Sequence, residues 1–269
     1  MITEEQLSDE IIVKYFEKYS RKITALRPHK SPTKIEKNRS KFGGEPNLNG
    51  FDNYPCCKHC KTPLNHVVQI YKSEFPDFYF PKDKVLFQIY RCPNADCPES
   101  FNEHHDFTTF YFYFSESELA KNKEYDKPVI NLDNFEEELI ECYLKPESVI
   151  DLPSWGDYEE IDEDKIKVKF GEEWFDDEFI LEYSAHSGSK INGYPVWIQG
   201  ANEVKCSCGK NKELFFQLSS EDVEDGVEYP PAPDNWSGHG LMIGDLGYMY
   251  FFVCKACGET SIEIQWECS

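Results

Sequence analysis

The distribution of apolar residues along the chain predicts a protein built mainly from β-strands. Short runs rich in Val, Ile, Leu, Phe and Tyr are bounded by Gly, Pro, Asn and Asp, which is typical of strands joined by turns. These runs are "NHVVQIY" at 65–71, "KVLFQIYR" at 84–91, "FTTFYFYF" at 107–114, "LFFQLS" at 214–219 and "YMYFFV" at 248–253. We therefore expect an α+β fold that is mainly β, with helices at its flanks.

Two other stretches have helical periodicity. Apolar residues recur at three- and four-residue steps over 3–20, with Thr3 as a candidate N-cap. The same spacing continues through 131–144, so Cys142 is expected on a second helix. From 27 to 46 the chain is basic and interrupted by prolines, which indicates an extended linker. We place an N-terminal helix and linker at 1–37 and one main domain at 38–269.

The main domain carries the same ordered pattern twice. Each copy opens with a Gly and Pro turn, continues through a cysteine cluster into a strand that contains a glutamine, Gln69 or Gln217, and ends on a second cysteine pair. Agreement in order and chemistry at every step indicates an internal duplication of one β-rich unit. We expect one pseudo-symmetric body, with two separate lobes as the alternative. The parts are unit one at 38–114, the acidic segment at 115–187 and unit two at 188–269.

The cysteines indicate metal binding. Of the 11 cysteines, eight form four close pairs, two pairs in each unit. Two pairs on separate turns supply the four thiolates of a tetrahedral zinc site. We predict two zinc ions in zinc-ribbon-like cysteine clamps, one held by Cys57, Cys60, Cys92 and Cys97 and the other by Cys206, Cys208, Cys254 and Cys257.

Several alternatives to this assignment stay open. One zinc ion, or none with the cysteines as core residues, is possible, and either Cys56 or His59 is a possible substitute for Cys57. We interpret Cys142 and Cys268 as ordinary thiols. In "NEHHDF", His104 and Asp106 would share one face of a strand and form an open metal site, although histidines in such a stretch are more often loop residues.

A site with four cysteine ligands has no free coordination position, which is typical of a structural metal. The sequence also carries no phosphate-binding loop, dinucleotide glycine motif, nucleophile elbow or His-Glu-x-x-His motif. We therefore predict a protein without catalytic residues. The alternative is an enzyme or small-ligand binder with a cleft between the two units, and its candidate lining residues are Gln69, Gln217, Trp197, Trp236 and Asp245.

The net charge of −22 is concentrated in the acidic segment, which holds 23 acidic and seven basic side chains. Such a surface repels phosphate, which disfavours nucleic acid, and it suits a basic protein partner. The alternatives are a merely solubilising face, and nucleic-acid binding by the basic stretch "KSPTKIEKNRSK". The residues we predict for partner binding are Glu136, Glu137, Glu138, Glu159, Glu160, Asp162, Glu163 and Asp164.

The location we expect is cytoplasmic, without contact to a membrane. No run approaches the roughly 18 apolar residues that a transmembrane helix needs. The first residues, "MITEEQLSDEIIVKYF", are acidic and unlike a secretory leader. A reducing compartment also suits cysteines that bind metal instead of forming disulfides.

These motifs resemble two families. "KFGGEP", "HVVQIY", "KINGYPVWIQ", "LFFQLS", "GDLGYMYFF" and "IQWECS" are similar to the YwqG-like domain family of unknown function over residues 38–268. That resemblance implies a pseudo-symmetric β-rich fold and no established activity, and many sequences of the family lack the cysteine pairs. With the cysteines included, the pattern also resembles the programmed cell death protein 2 family, which chaperones a basic ribosomal protein. The chain departs from that family at Asn47, where a tryptophan is expected after the proline, although in the second unit Trp197 comes two residues after Pro195.

Together these observations predict a non-enzymatic, zinc-stabilised module that binds a basic protein through its acidic segment. The resemblance to the second family suggests a nascent ribosomal protein as the partner. A basic toxin, for which this chain would be the immunity protein, is the other possibility.

Overall fold

The computed structural model describes residues 19–98, 108–121, 125, 128, 139–154, 167, 171–174, 184–220, 222 and 239–269. Its strands are β1 (Arg21–Lys30), β2 (Lys41–Phe42), β3 (Asn65–Tyr71), β4 (Lys84–Arg91), β5 (Thr109–Ser115), β6 (Cys142–Asp151), β7 (Lys190–Ile191), β8 (Glu213–Ser219), β9 (Tyr248–Val253) and β10 (Glu263–Glu267). The helices are α1 (Glu116–Leu119) and α2 (Glu172–Trp174), and a 3-10 turn lies at Gly258–Ser261. None of the helices in these residues is long and apolar enough to cross a membrane.

All strands belong to one antiparallel sheet in the order β10-β9-β8-β7-β1-β6-β2-β3-β4-β5. The two ten-residue strands β1 and β6 pair along their whole length at its centre, from Arg21 opposite Asp151 to Lys30 opposite Cys142. We call β2 to β5 on one side the first flank, and β7 to β10 on the other side the second flank.

The sheet curls until its two flanks face each other. Phe87 on β4 and Phe251 on β9 are seven strands apart, which would separate them by about 33 Å in a flat sheet. Their ring centroids are 6.1 Å apart. Phe78, from the loop between β3 and β4, fills the interior and packs against Phe215 and Phe216 of β8. One continuous core therefore lies between the flanks, and burying these large aromatic rings contributes strongly to stability.

The strand predictions are confirmed at β3, β4, β5, β8 and β9. The predicted helix over 131–144 is wrong at its end, because Cys142 and Tyr143 lie on β6. These two residues pair with β1 on one side and with β2 on the other, and this long-range pairing overrides the local helical spacing. Residues 131–138 of that prediction, and 3–18 of the predicted N-terminal helix, lie outside the described residues.

The predicted linker differs from the structure in its first residues, because 27–30 belong to β1. Pro28 is tolerated there since β7 pairs only with Thr24 and Ala25. At Pro28, β1 therefore pairs with a strand on one side only. The missing backbone N–H of proline costs fewer hydrogen bonds there than in a strand with two neighbours.

Candidate metal centres

The first cysteine cluster joins two turns of the first flank. Cys57 and Cys60 lie in a tight turn after β2, where Lys61 N–H donates to the Cys57 carbonyl at 2.9 Å and Lys61 adopts a φ of 64°. Cys92 and Cys97 follow β4 directly. The sulfur of Cys60 lies 3.4 Å from that of Cys92, and the sulfur of Cys57 lies 3.9 Å from that of Cys97. All four sulfurs lie within 4.8 Å of one another.

The second cluster has the same construction in the second flank. Cys206 and Cys208 lie in a turn closed by Gly209, and Cys254 and Cys257 follow β9. The four sulfurs again lie within 4.8 Å of one another, with Cys208 and Cys254 at 3.7 Å.

These spacings fit metal coordination better than disulfide bonding. A tetrahedral zinc–thiolate site places its sulfurs about 3.8 Å apart, whereas bonded sulfurs are about 2.05 Å apart. All 11 cysteines are free in the structure. Hydrogen bonding from the Cys208 backbone lowers the pKa of the Cys206 thiol to about 6. The lowered pKa favours the thiolate, which is the form that binds metals.

The two clusters differ in their exposure to solvent. In the first, Cys57, Cys92 and Cys97 are buried and pack with Leu64 and Tyr90. In the second, Cys206 and Cys254 are buried, but Cys208 and Cys257 are exposed. Water, chelators and oxidants therefore reach the second cluster more easily.

The alternative ligands of the first cluster lie outside it. Cys56 is exposed, and its sulfur lies 3.5 Å from the Tyr54 carbonyl oxygen. His59 does not join the group of four sulfurs either, and its ring centroid lies 6.4 Å from that of Phe110. The structure thus brings together the predicted set that contains Cys57. The alternative site at His104 and Asp106 lies outside the described residues.

The sequence-based reasoning missed two ion pairs that are formed by buried lysines. Lys190 and Asp151 are both fully buried, and the Lys190 Nζ lies 3.2 Å from both carboxylate oxygens. Burial lowers the pKa of Lys190 to about 8. In the first flank, the fully buried Lys41 donates to Glu141 at 2.8 Å. The signal that would have found them is the lysine that opens both "KFGGEP" and "KINGYP".

The two glutamines predicted to line a cleft between the units form hydrogen bonds within the protein. Gln69 is fully buried, accepts from the Asn47 N–H and donates to the Arg39 carbonyl. Gln217 is likewise buried and makes the corresponding bonds to Val196 and Gly188. These glutamines are core residues whose hydrogen bonds are satisfied.

The other two described cleft candidates do not converge on these glutamines. Trp197 packs against Tyr250 and Phe252, with ring centroids 5.2 and 5.9 Å apart. Asp245 is exposed. Trp236 lies outside the described residues.

The basic stretch proposed for nucleic acid has most of its cations engaged within the protein. Lys34 and Lys37 both pair with Glu45, and Arg39 pairs with Glu74. The last lysine of the stretch, Lys41, is the buried one described above. These ion pairs leave little uncompensated positive charge for phosphate.

These features define a class of protein: a curled antiparallel sheet with one four-cysteine cluster on each flank. A family profile described as a domain of unknown function, DUF1963, matches residues 40–256. The chain therefore belongs to the DUF1963 family. The match includes β2 to β5 of the first flank and β7 to β9 of the second, and it ends one residue before Cys257. No curated protein matches the sequence significantly.

Proposed function

We propose that this chain is a non-enzymatic protein-binding module whose sheet is held by two structural zinc ions. The observation that carries the proposal is the assembly of eight cysteines into two groups of four with metal-like sulfur spacing. Four thiolates form the donor set of structural zinc and leave no position for a substrate. A reducing location such as the cytoplasm would keep the thiolates available.

Each zinc ion would fasten a loop to the end of a strand. In the first flank it ties the turn at 57–60 to the chain that leaves β4, and in the second it ties the turn at 206–208 to the chain that leaves β9. Zinc binding contributes on the order of 10 kcal/mol to the folding of small zinc domains. Metal binding would therefore stabilise the loops on both flanks.

We infer that the two flanks arose by duplication, in line with the YwqG-like and programmed cell death protein 2 resemblances. The strand pairings support this inference. Lys41 lies opposite Gln69, and Lys190 lies opposite Gln217. The hairpins β3-β4 and β8-β9 also carry an irregularity at the same place, after His66 and after Leu214.

The exposure of the two clusters predicts an order of metal loss. When the zinc-loaded protein is treated with a chelator and a thiol-alkylating reagent, we expect Cys208 and Cys257 to be alkylated before the cysteines of the first cluster, because both are exposed. Buried Cys57 and Cys92 should react at least tenfold more slowly. Peptide mass spectrometry with parallel measurement of released zinc gives both rates. Equal rates at the two clusters would show that burial does not control metal loss.

The partner we propose is a basic protein, and it would be recognised by the acidic segment. The eight acidic residues named for this role lie outside the described residues, so the support is the segment's charge of −16. Charge complementarity speeds association and selects against acidic partners. A nascent ribosomal protein and a basic toxin both have the required charge.

This proposal predicts binding that depends on charge and weakens with salt. A partner captured from cell extract at low salt would be purified and titrated by calorimetry at low and at high salt. We expect reversal of four charges in the acidic segment to weaken binding at least tenfold, because the complementary field is lost. The variant is Glu159→Lys, Glu160→Lys, Asp162→Lys and Glu163→Lys.

The matched control reverses four exposed acids elsewhere, Asp77→Lys, Asp83→Lys, Asp245→Lys and Glu259→Lys. It changes net charge equally, so a loss of affinity confined to the first variant locates the partner at the acidic segment. An equal loss in both variants would indicate a general charge effect. Unchanged affinity of the first variant would disprove recognition by this segment.

A further inference from the structure

A cavity of about 450 Å³ lies in the first flank, beside the "GGEP" turn. This volume is within the range of about 300–1,000 Å³ found for small-ligand sites. The cavity combines charged, polar and apolar side chains. Its wall is formed by Lys34, Gly44, Glu45, Pro46, Leu48, Tyr54, His66, Tyr125, Leu139 and Glu141.

The glycine of this turn allows the close approach of an acid. Gly44 has a φ of 64°, and a Cβ at this position would collide with the Glu141 carboxylate. The acid keeps contact with the cavity, because its side chain remains 20% exposed. Its oxygens accept from Lys41 Nζ at 2.8 Å and from the Ile35 N–H at 3.0 Å.

The second flank has a different arrangement at the corresponding turn. Gly193 there approaches Asp151 in the same way. Asp151 is fully buried, however, and accepts from Lys190 and from the N–H groups of His186 and Tyr194. A second cavity of about 450 Å³ adjoins this turn, but Asp151 is not part of its wall.

The two flanks also differ at His66, as the pairing of their strands shows. His66 lies opposite Tyr90 on the neighbouring strand, and the corresponding pair in the second flank is Leu214 opposite Phe252. A polar ring in the first flank thus occupies the position of an apolar side chain in the second. Both side chains contribute to the wall of their own cavity.

The hydrogen bonding of His66 leaves one ring nitrogen as an acceptor. Its Nδ1 lies 2.9 Å from the Gly43 carbonyl oxygen, and since a carbonyl only accepts, Nδ1 carries the proton. Nε2 is buried and has no hydrogen-bond partner among the residues that the structure describes. Burial lowers the pKa of His66 to about 3, so the ring is neutral at physiological pH. An unpaired buried acceptor is costly, and a hydrogen-bond donor would relieve this cost.

The charges around the cavity are already compensated within the protein. Glu141 is paired with Lys41, and Glu45 is paired with Lys34 and Lys37. A charged ligand would have to compete with one of these ion pairs. Hydroxyl groups, in contrast, both donate to imidazole or carboxylate and accept from an ammonium group without disturbing the balance of charge.

We propose that this cavity binds a small neutral ligand that carries several hydroxyl groups, of the monosaccharide or polyol class. One hydroxyl donates to His66, others bond to Glu45, Glu141 and Lys34, and the apolar surface of Leu48 and Leu139 covers the ligand's carbon atoms. This site is separate from both cysteine clusters and does not depend on the basic-partner proposal.

The test uses the zinc-loaded chain of 269 residues with ¹⁵N-labelled histidine. D-glucose, sorbitol and myo-inositol are titrated while the His66 ring nitrogens are followed by NMR. We expect a saturable shift of the Nε2 signal with at least one of these probes. D-glucosamine and D-glucuronate carry a positive and a negative charge on a similar frame, and we expect each to bind at least tenfold more weakly than D-glucose.

Two variants copy the second flank. His66→Leu introduces the residue found at Leu214, and Leu48→Trp introduces the bulk of Trp197 at the corresponding position of the motif. For both we expect at least a tenfold loss of probe affinity by calorimetry. His29→Leu changes an exposed histidine outside the cavity and should bind like the wild type.

Zinc content and melting temperature show which variants remain folded, and Leu48→Trp provides the test if His66→Leu is unstable. The proposal is overturned if no neutral probe shifts the His66 signal, which would leave only water in the cavity. It is also overturned if the charged analogues bind as tightly as D-glucose, or if the folded cavity variants keep wild-type affinity.

Discussion

Replacement of Cys57 by serine is expected to remove one zinc ion per chain and to lower the melting temperature by about 10 °C or more. The Cys57 side chain is fully buried in the first cluster, so no other group can take its place without rearranging the turn. A zinc site contributes on the order of 10 kcal/mol to small zinc domains. Loss of even a third of this energy lowers the melting temperature of a chain of this size by about 10 °C. Elemental analysis and calorimetry measure the two effects.

The neighbouring Cys56 provides a close control. Cys56→Ser removes a thiol one position away that is exposed and outside the cluster. We expect this variant to keep both zinc ions and to melt within about 2 °C of the wild type, as surface substitutions usually do. If Cys56→Ser loses zinc and Cys57→Ser keeps it, the ligand assignment of the first cluster is incorrect. If neither protein contains zinc, the structural role proposed for the metal fails.

Replacement of Lys190 by methionine is expected to destabilise the protein by about 3–5 kcal/mol, the usual cost of removing one partner from a buried ion pair. Methionine is similar in length to lysine, so the loss of stability comes mainly from removing the positive charge. Asp151 would remain fully buried and, of its donors among the described residues, would keep the backbone N–H groups of His186 and Tyr194. Urea unfolding followed by tryptophan fluorescence and circular dichroism gives the free energy of unfolding.

An exposed ion pair supplies the comparison for this effect. Lys205 pairs with Glu203, and both side chains are more than 60% exposed. Lys205→Met should therefore change the free energy of unfolding by less than about 1 kcal/mol. Lys41→Met should fall between the two, because Glu141 is in contact with solvent. A Lys190→Met protein as stable as Lys205→Met would mean that the pair with Asp151 contributes nothing net.

Sequence reasoning succeeded where the signal was local. The flank strands are short apolar runs, and hairpin partners such as β3 and β4 follow each other closely along the chain. The cysteine pairs are equally local, since two thiols within a few residues share one turn. We predicted each set of four cysteines by combining the two cysteine pairs of one unit. The structure brings together the same eight residues.

The centre of the sheet was missed because its signal is not local. β1 is basic and contains a proline, and only its pairing with a strand more than 100 residues away makes it a strand. The ion pair of Lys190 with Asp151 has the same origin, since its members are 39 residues apart. Likewise, spacing alone left Cys56, Cys57 and His59 as competing ligands, because the direction of each side chain depends on the turn that holds it.

The position of β1 between β6 and β7 has a consequence for how the chain folds and can be divided. β1 connects the two flanks, yet its partners are synthesised more than 100 residues later. The first flank can form on the ribosome while β1 is still unpaired. Pairing of β1 with β6 and β7 then closes loops of more than 100 residues, and closing such long loops slows folding. A fragment that begins at residue 40, where the family match begins, would lack this strand. The two halves would then no longer be joined by strand pairing, and the edges of β6 and β7 would be open to aggregation.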